Sequence, residues 1–286
     1  MYRKIIKQGK GAYTISLPKN WIEKNNLSNS NQIEVIEEGL DLLIKSKKKK
    51  SESNISIELD EYSTTEYRNI IGSLYRGGYD TIEIKAKKKL KIKNLQEAIN
   101  SIYGLELFYE NNNYIIKTIY LTESTNINDH IKLMVSSISQ IQNLIILDVE
   151  NNNKDSSKEI NRLRNIILKQ RDLIIRIIKK EKLFDNNIFP FYNISISLWN
   201  IARSYMHMYE DIKNIKNIQL FESVADYFNS SFSSFKLSEN ELRLRNKKYQ
   251  KQYLETTNSN SNMKPYLVSA LFQIQQCDSY LYLLSK

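Results

Sequence analysis

Apolar and polar residues alternate with a period of two through the opening and middle of this chain, then with a helical period to its end. In "GAYTISLP" Tyr13, Ile15 and Leu17 alternate with Thr14 and Ser16, the pattern of a half-buried strand. Pro18 suits the first turn of a helix, where its missing N–H has no partner to lose, and "PKNWIEKNNL" places Trp21 and Ile22 toward a core. Ile33 and Val35 alternate with Glu34, "EEG" at 37–39 supplies a turn, and Leu40, Leu42 and Ile44 mark a returning strand. Residues 1–46 therefore read as a small domain of strand, turn, strand, short helix and hairpin.

The basic run at 47–54, within "KSKKKKSESN", reads as a linker: a solvated tether, with a stripe that touches nucleic acid or an anionic surface as the alternative. Beyond it, residues 55–125 read as a small α+β domain: "ISIEL" a strand, "TTEYRNIIGSLYRGG" a helix ended by glycine, "YDTIEIKAK" a strand, "KNLQEAINSIYG" a second helix, then "LELFYEN" and "YIIKTIYL" a hairpin around "NNN". From 126 to 286 helical periodicity predicts six helices, near 128–150, 156–183, 190–216, 218–235, 238–256 and 264–286. "LWNIARSYMHMY" (198–209) aligns with "LFQIQQCDSYLY" (271–282), so the six helices read as two three-helix bundles sharing one long core. The expected class is multidomain α+β.

Charge adds a direction. The net formal charge is +10, and residues 1–50 hold eleven Lys/Arg against five Asp/Glu. A basic head of this kind points to a polyanionic partner. Its few large apolar groups also put it near the lower limit for folding alone, so a partner chain is the expected remedy. The single cysteine, Cys277, cannot close an intramolecular disulfide and reads as a small core residue of a protein from a reducing cytoplasm. Neither a signal peptide nor a membrane-spanning run is expected.

Residues 3–45, "RKIIKQGKGAYTISLPKNWIEKNNLSNSNQIEVIEEGLDLLIK", resemble the SpoVT/AbrB family of DNA-binding domains, with a basic first strand, a loop, an "LPK" entry to a short helix, and a hairpin. The resemblance implies an intertwined homodimer in which two chains exchange hairpins to close one β-barrel. "LYRGGYDTIEI", "IYGLELFYEN" and "KEINRLRNIILKQRD" resemble archaeal PhoU-type phosphate uptake regulators, which fuse such a head to a helical PhoU region. That resemblance implies a cytoplasmic transcriptional regulator whose helical body contacts a phosphate transporter subunit or a signalling protein. In PhoU proteins, acidic residues four apart on the third and sixth helices bind clustered metal ions. The matching places here hold Trp199 and Arg203, and Phe272 and Gln276, while Glu159 is retained beside Asn161. Loss of anionic ligands and gain of a cation lead us to expect no metal cluster.

The DNA-binding candidates are Arg3, Lys4, Lys7 and Lys10, with Lys19 at the helix start. On an extended strand Arg3 and Lys7 share a face, and "GKG" lets the backbone turn tightly while presenting Lys10. The duller reading is that these cations only keep the head soluble. "GKGAYTIS" lacks the spacing of a phosphate-cradling P-loop, so nucleotide is not expected there. Glu222 and Asp226 read as a solvated helical face. His130 and His207 have no companions at metal-ligand spacing, and the nineteen tyrosines read as packing seams rather than base-stacking platforms. Neither a catalytic constellation nor a cofactor is expected. Rival readings are an architectural DNA binder with a PhoU-shaped oligomerisation body, and a transporter adaptor that does not bind DNA.

Overall fold

The computed structural model describes residues 2–9, 11–25, 27, 32–38, 41–45, 52–86, 90–119, 126–151, 155–181, 188–211 and 218–286. The chain divides into two compact units, Met1–Glu52 and Ser53–Lys286.

In the first unit, β1 (Ile6–Gln8) pairs antiparallel with β2 (Ala12–Thr14), α1 spans Lys19–Lys24, and β3 (Glu34–Glu38) pairs antiparallel with β4 (Asp41–Lys45). The turn between β1 and β2 is made possible by Gly9 at φ +62° and Gly11 at φ +106°, a region that side chains with a Cβ rarely enter. Pro18 stands at the N-cap of α1 with extended backbone and begins the turn as expected. Two expectations are corrected. The β2 strand stops at Thr14, and Tyr13 and Ile15 are exposed rather than half-buried, because no second layer among the described residues of this unit covers them. Glu37 and Glu38 lie within β3, opposite Leu42 and Asp41, rather than in the turn expected at "EEG"; Gly39 and Leu40 lie outside the described residues. The strands form two separate two-stranded sheets, with no closed barrel among the described residues. Leu27 is the one buried hydrophobic residue described in this unit.

The second unit begins with β5 (Asn54–Leu59), one residue earlier than the linker reading placed it; residues 47–51 of that linker lie outside the described residues. Helix α2 (Thr64–Arg76) crosses to β6 (Thr81–Ala86), parallel to β5, and α3 (Ile92–Asn100) leads to the hairpin β7 (Leu105–Glu110) and β8 (Asn113–Thr118). Strand order is β5-β6-β8-β7. Asn111 and Asn112, at φ 50° and 63°, form the two-residue turn whose twist matches the flanking strands. Ile82, Ile84 and Ile116 face α2 and α3, whose Tyr67, Ile71, Leu95 and Ile99 complete the core. A capping box starts α2: Ser63 accepts from the Glu66 amide while Glu66 accepts from the Ser63 amide.

Among the described residues six helices follow: α4 (Ile127–Glu150), α5 (Ser157–Glu181), α6 (Ile188–Glu210), α7 (Gln219–Ser231), α8 (Glu239–Asn258) and α9 (Lys264–Leu283). They fall close to the expected segments, except that α7 stops at Ser231, short of 235, and α6 stops at Glu210, short of 216; residues 212–217 lie outside the described residues. One contiguous core runs through them, from Ile131 and Ile138 through Leu198 and Tyr205 to Leu271 and Leu281. Each fully buried Ile or Leu contributes about 1.5–3 kcal/mol. Shifted by 73 residues, all seven buried positions of α9 fall on buried positions of α6. The small pairs Ser197/Ala270 and Ser204/Cys277 are among them, which lets the two helices approach closely. Asn200 donates to Gln273, the residue 73 further on, at 3.4 Å. Among the described residues no helix is long and apolar enough to cross a membrane.

Candidate functional site

In the first unit, Arg3, Lys4 and Lys7 are all exposed. Arg3 and Lys4 precede β1, and Lys7 lies on it opposite Tyr13, so the shared strand face expected for Arg3 and Lys7 is not built as a continuous strand. Lys19, 87% exposed at its side chain, sits 3.7 Å from Glu23 one turn on. Lys10 lies outside the described residues. Apolar residues of the same unit are uncovered: Ile5 is 71%, Tyr13 66% and Leu42 65% exposed.

In the second unit the structure assembles a charged cluster that periodicity did not reveal. Asp172, Arg176 and Lys180 are four apart on α5 and so share one face, and that face meets α2. The Asp172 side chain is completely buried and accepts from three guanidinium groups: Arg68, Arg76 at 3.1 Å and Arg171 at 2.6 Å. Burial acts to raise its pKa, but the charges of Arg68 and Arg171 and their hydrogen bonds hold it below the ordinary carboxylate value. Arg68 and Arg76 flank Gly72 one turn either side, and their guanidinium groups occupy the space a side chain there would take. A Cβ at 72 would collide with Arg68 and come within 3.3 Å of Arg76.

One turn further along α5, the buried Arg176 guanidinium donates to the Tyr75 carbonyl at 2.8 Å, the Tyr79 carbonyl at 2.7 Å and Asp80 at 2.6 Å. It thus adds a second donor to the Tyr75 carbonyl, which also accepts from the Gly78 amide at 3.0 Å, and binds the Tyr79 carbonyl just beyond α2. Asp80 also accepts from Lys180 and from the Ser53 amide at 2.9 Å. Burial again opposes ionisation, yet these donors hold Asp80 below its ordinary pKa.

On the other side of Asp172, Arg171 and Arg164 both lie over the Trp199 ring of α6, at 5.1 and 5.4 Å from its centroid. Burial lowers the pKa of Arg164; Glu210 acts against this, and the charges of Arg68 and Arg203 add to it. Burial likewise lowers Arg171, with Asp172 opposing and Arg76 and Arg68 adding. Arg68 Nε and Arg164 Nε are buried and have no hydrogen-bond partner. Trp199 and Arg203, which stand where the PhoU resemblance would place carboxylates, therefore belong to a cationic cluster.

The other residues singled out in the sequence are dispersed. Glu159 pairs with Arg162 at 2.6 Å on an exposed face, Phe272 is half exposed, and Glu222 and Asp226 lie on α7 outside the charged cluster. His130 Nδ1 lies 2.6 Å from Gln170, and His207 lies 3.2 Å from Glu210. No group of three or more metal-ligating side chains forms among the described residues. Cys277 is fully buried, and burial pushes its thiol pKa up. Tyr205 and Tyr227 are core residues whose hydroxyls bond inward, to Gln142 at 3.3 Å and Asp278 at 2.7 Å. Asp278 also receives Arg245 at 2.8 Å, and Asp148 receives Ser156 and Tyr209 at 2.8 and 2.6 Å. Compared with protein-family models, with curated proteins and with solved structures, the chain gives no match in any of the three.

Proposed function

We propose that the chain is a DNA-binding transcriptional regulator of the PhoU type, a non-enzymatic homodimer controlling phosphate uptake. The observation that carries this reading is the head itself, where Arg3, Lys4, Lys7 and Lys19 are exposed and so are the apolar Ile5, Ile6, Tyr13, Ile15, Val35 and Leu42. A second head of the same kind, exchanging hairpins to close a SpoVT/AbrB-like barrel, would cover the apolar groups and leave the cations outside. Pairing doubles the head's excess charge to roughly +12, a platform that gains affinity by releasing counterions from phosphates. Arg3, Lys4, Lys7, Lys10 and Lys19 are the residues assigned to backbone contact.

The helical body supports the PhoU reading through the register of α6 and α9. Buried positions recur at a shift of 73, and Asn200 bonds to its own counterpart Gln273, as expected of two three-helix halves related by a near-twofold axis. Tyr205 and Asp278, also counterparts, each bond to the first helix of their own half, α4 and α7. The cationic cluster at Trp199 and Arg203 favours one variant of the proposal, an architectural DNA binder that does not respond to metal.

The test is binding of the full chain to duplex DNA across a series of salt concentrations. Affinity should fall with a slope of about −4 or steeper in log–log form, and Arg3→Glu with Lys7→Glu should weaken it at low salt. Absence of binding in dilute buffer would leave only the transporter adaptor. Genome-wide occupancy at high and low phosphate separates a focused regulator from a broad coating protein.

A further inference from the structure

We propose that the arginines gathered around Asp172 and Trp199 form a binding site for a small tetrahedral oxyanion, inorganic phosphate or a phosphomonoester. The site lies wholly in the second unit and does not depend on DNA binding by the head.

Charge balance is the first argument. Arg68, Arg76 and Arg171 share the single Asp172 carboxylate, and Arg164 and Arg203 add two further cations against Glu210. Glu210 is itself 3.2 Å from His207. The Arg68 and Arg171 side chains are only 12% and 14% exposed, so water does little to neutralise these two, while Arg203 and Glu210 are exposed at the edge of the cluster. A surplus of positive charge on side chains so little exposed is costly unless something pairs with it.

Unused donors are the second. Arg68 Nε and Arg164 Nε are buried without partners, one on α2 and one on α5. A guanidinium with a free edge is the group best shaped to take two oxygens of a phosphate at once. A tetrahedral anion offers more acceptor positions than a carboxylate, as a cluster drawn from α2, α5 and α6 requires.

Preorganisation is the third. Gly72 removes the side chain that would push Arg68 and Arg76 aside, and the Trp199 ring carries both Arg164 and Arg171. Guanidinium groups already held in place lose little freedom when an anion arrives. The low exposure of Arg68 and Arg171 argues against a polynucleotide, which needs an open track of exposed cations along which its backbone can run.

Binding of inorganic phosphate to the full chain, by titration calorimetry and by thermal melting against chloride at matched ionic strength, tests the proposal. Saturable binding is expected, with a melting temperature that rises more in phosphate than in chloride, since a ligand of the folded state stabilises it. Arg164→Gln with Arg203→Gln, which spares the three arginines on Asp172, should weaken binding at least tenfold while the variant still melts cooperatively. Lys247→Gln with Lys251→Gln, on the exposed face of α8, should leave it unchanged. A parallel titration with a nucleoside monophosphate shows whether the free ion or the ester is preferred. Equal stabilisation by chloride, no saturable binding, or unaltered binding in the Arg164/Arg203 variant each overturns the site.

Discussion

Gly72 shows how a local preference can change sign in context. Inside a helix glycine is less stable than alanine by about 0.5–1 kcal/mol, so Gly72→Ala should stabilise α2 on propensity alone. A Cβ there, however, meets the Arg68 guanidinium that is bound to the buried Asp172 carboxylate. Loss of a charge-assisted hydrogen bond costs about 1.5–3 kcal/mol, which exceeds the gain. The expected result is a net loss of about 1–2 kcal/mol in denaturant unfolding of the full chain, turning into a gain when Arg68 is also replaced by alanine. A lone Gly72→Ala change that raises stability would mean that the arginine moves aside freely. The capping boxes are simpler. Ser63 and Ser238 each accept the amide of a glutamate three residues on, and each glutamate bonds back. Either serine changed to alanine should lower stability by about 1 kcal/mol, measured the same way.

Between elements, the α2–α5 contact is built around buried charges, where the long core shared by α4–α9 is mainly apolar. Removing one partner from a buried ion pair leaves the others uncompensated, at a cost of about 3–5 kcal/mol; Asp172→Asn strands three arginines at once and belongs in that range. The pH dependence follows from the direction of the shifts. Asp172 and Asp80 titrate lower in the folded chain than unfolded, so their contribution is complete above the ordinary carboxylate pKa of about 3.9 and is lost as pH falls through the folded values. Thermal melting should weaken on acidification below about pH 4, and Asp172→Asn should start lower at neutrality and fall less steeply. A variant with the wild-type acid profile would remove Asp172 from that role. The sequence made α5 legible as a helix, because its apolar period is local. It did not make the contact legible, because Asp172, Arg176 and Lys180 carry the same one-turn spacing whether they face water or a second helix. The signal that was present is "RNIIGSLYR", a helical glycine one turn from an arginine on each side, which pairing information would have given meaning.

For the whole molecule, the contrast lies between a second unit that covers its own core and a first unit that does not. Alternation in "GAYTISLP" and "VIEEGLDLLI" was readable, and so was the shortage of apolar mass; what covers Tyr13, Ile15, Val35 and Leu42 was not, since the cover is not supplied by the described residues of this chain. Apolar side chains exposed on both hairpins are better explained by association than by chance, because such surface gains about 25 cal/mol per Å² when it leaves water. Substituting Val35→Asp and Leu42→Asp puts carboxylates into the surface proposed to be buried between two heads. Sedimentation of the full chain should then report a dimer for the wild type and a monomer for the variant, while the second unit, whose residues are unchanged, still melts cooperatively. DNA binding supplies a second readout: a single head neutralises half as many phosphates, so the salt slope should fall from about −4 to about −2. A wild-type chain that sediments as a monomer at micromolar concentration, yet binds duplex with the full slope, would show that one head suffices and that its apolar residues serve some other contact.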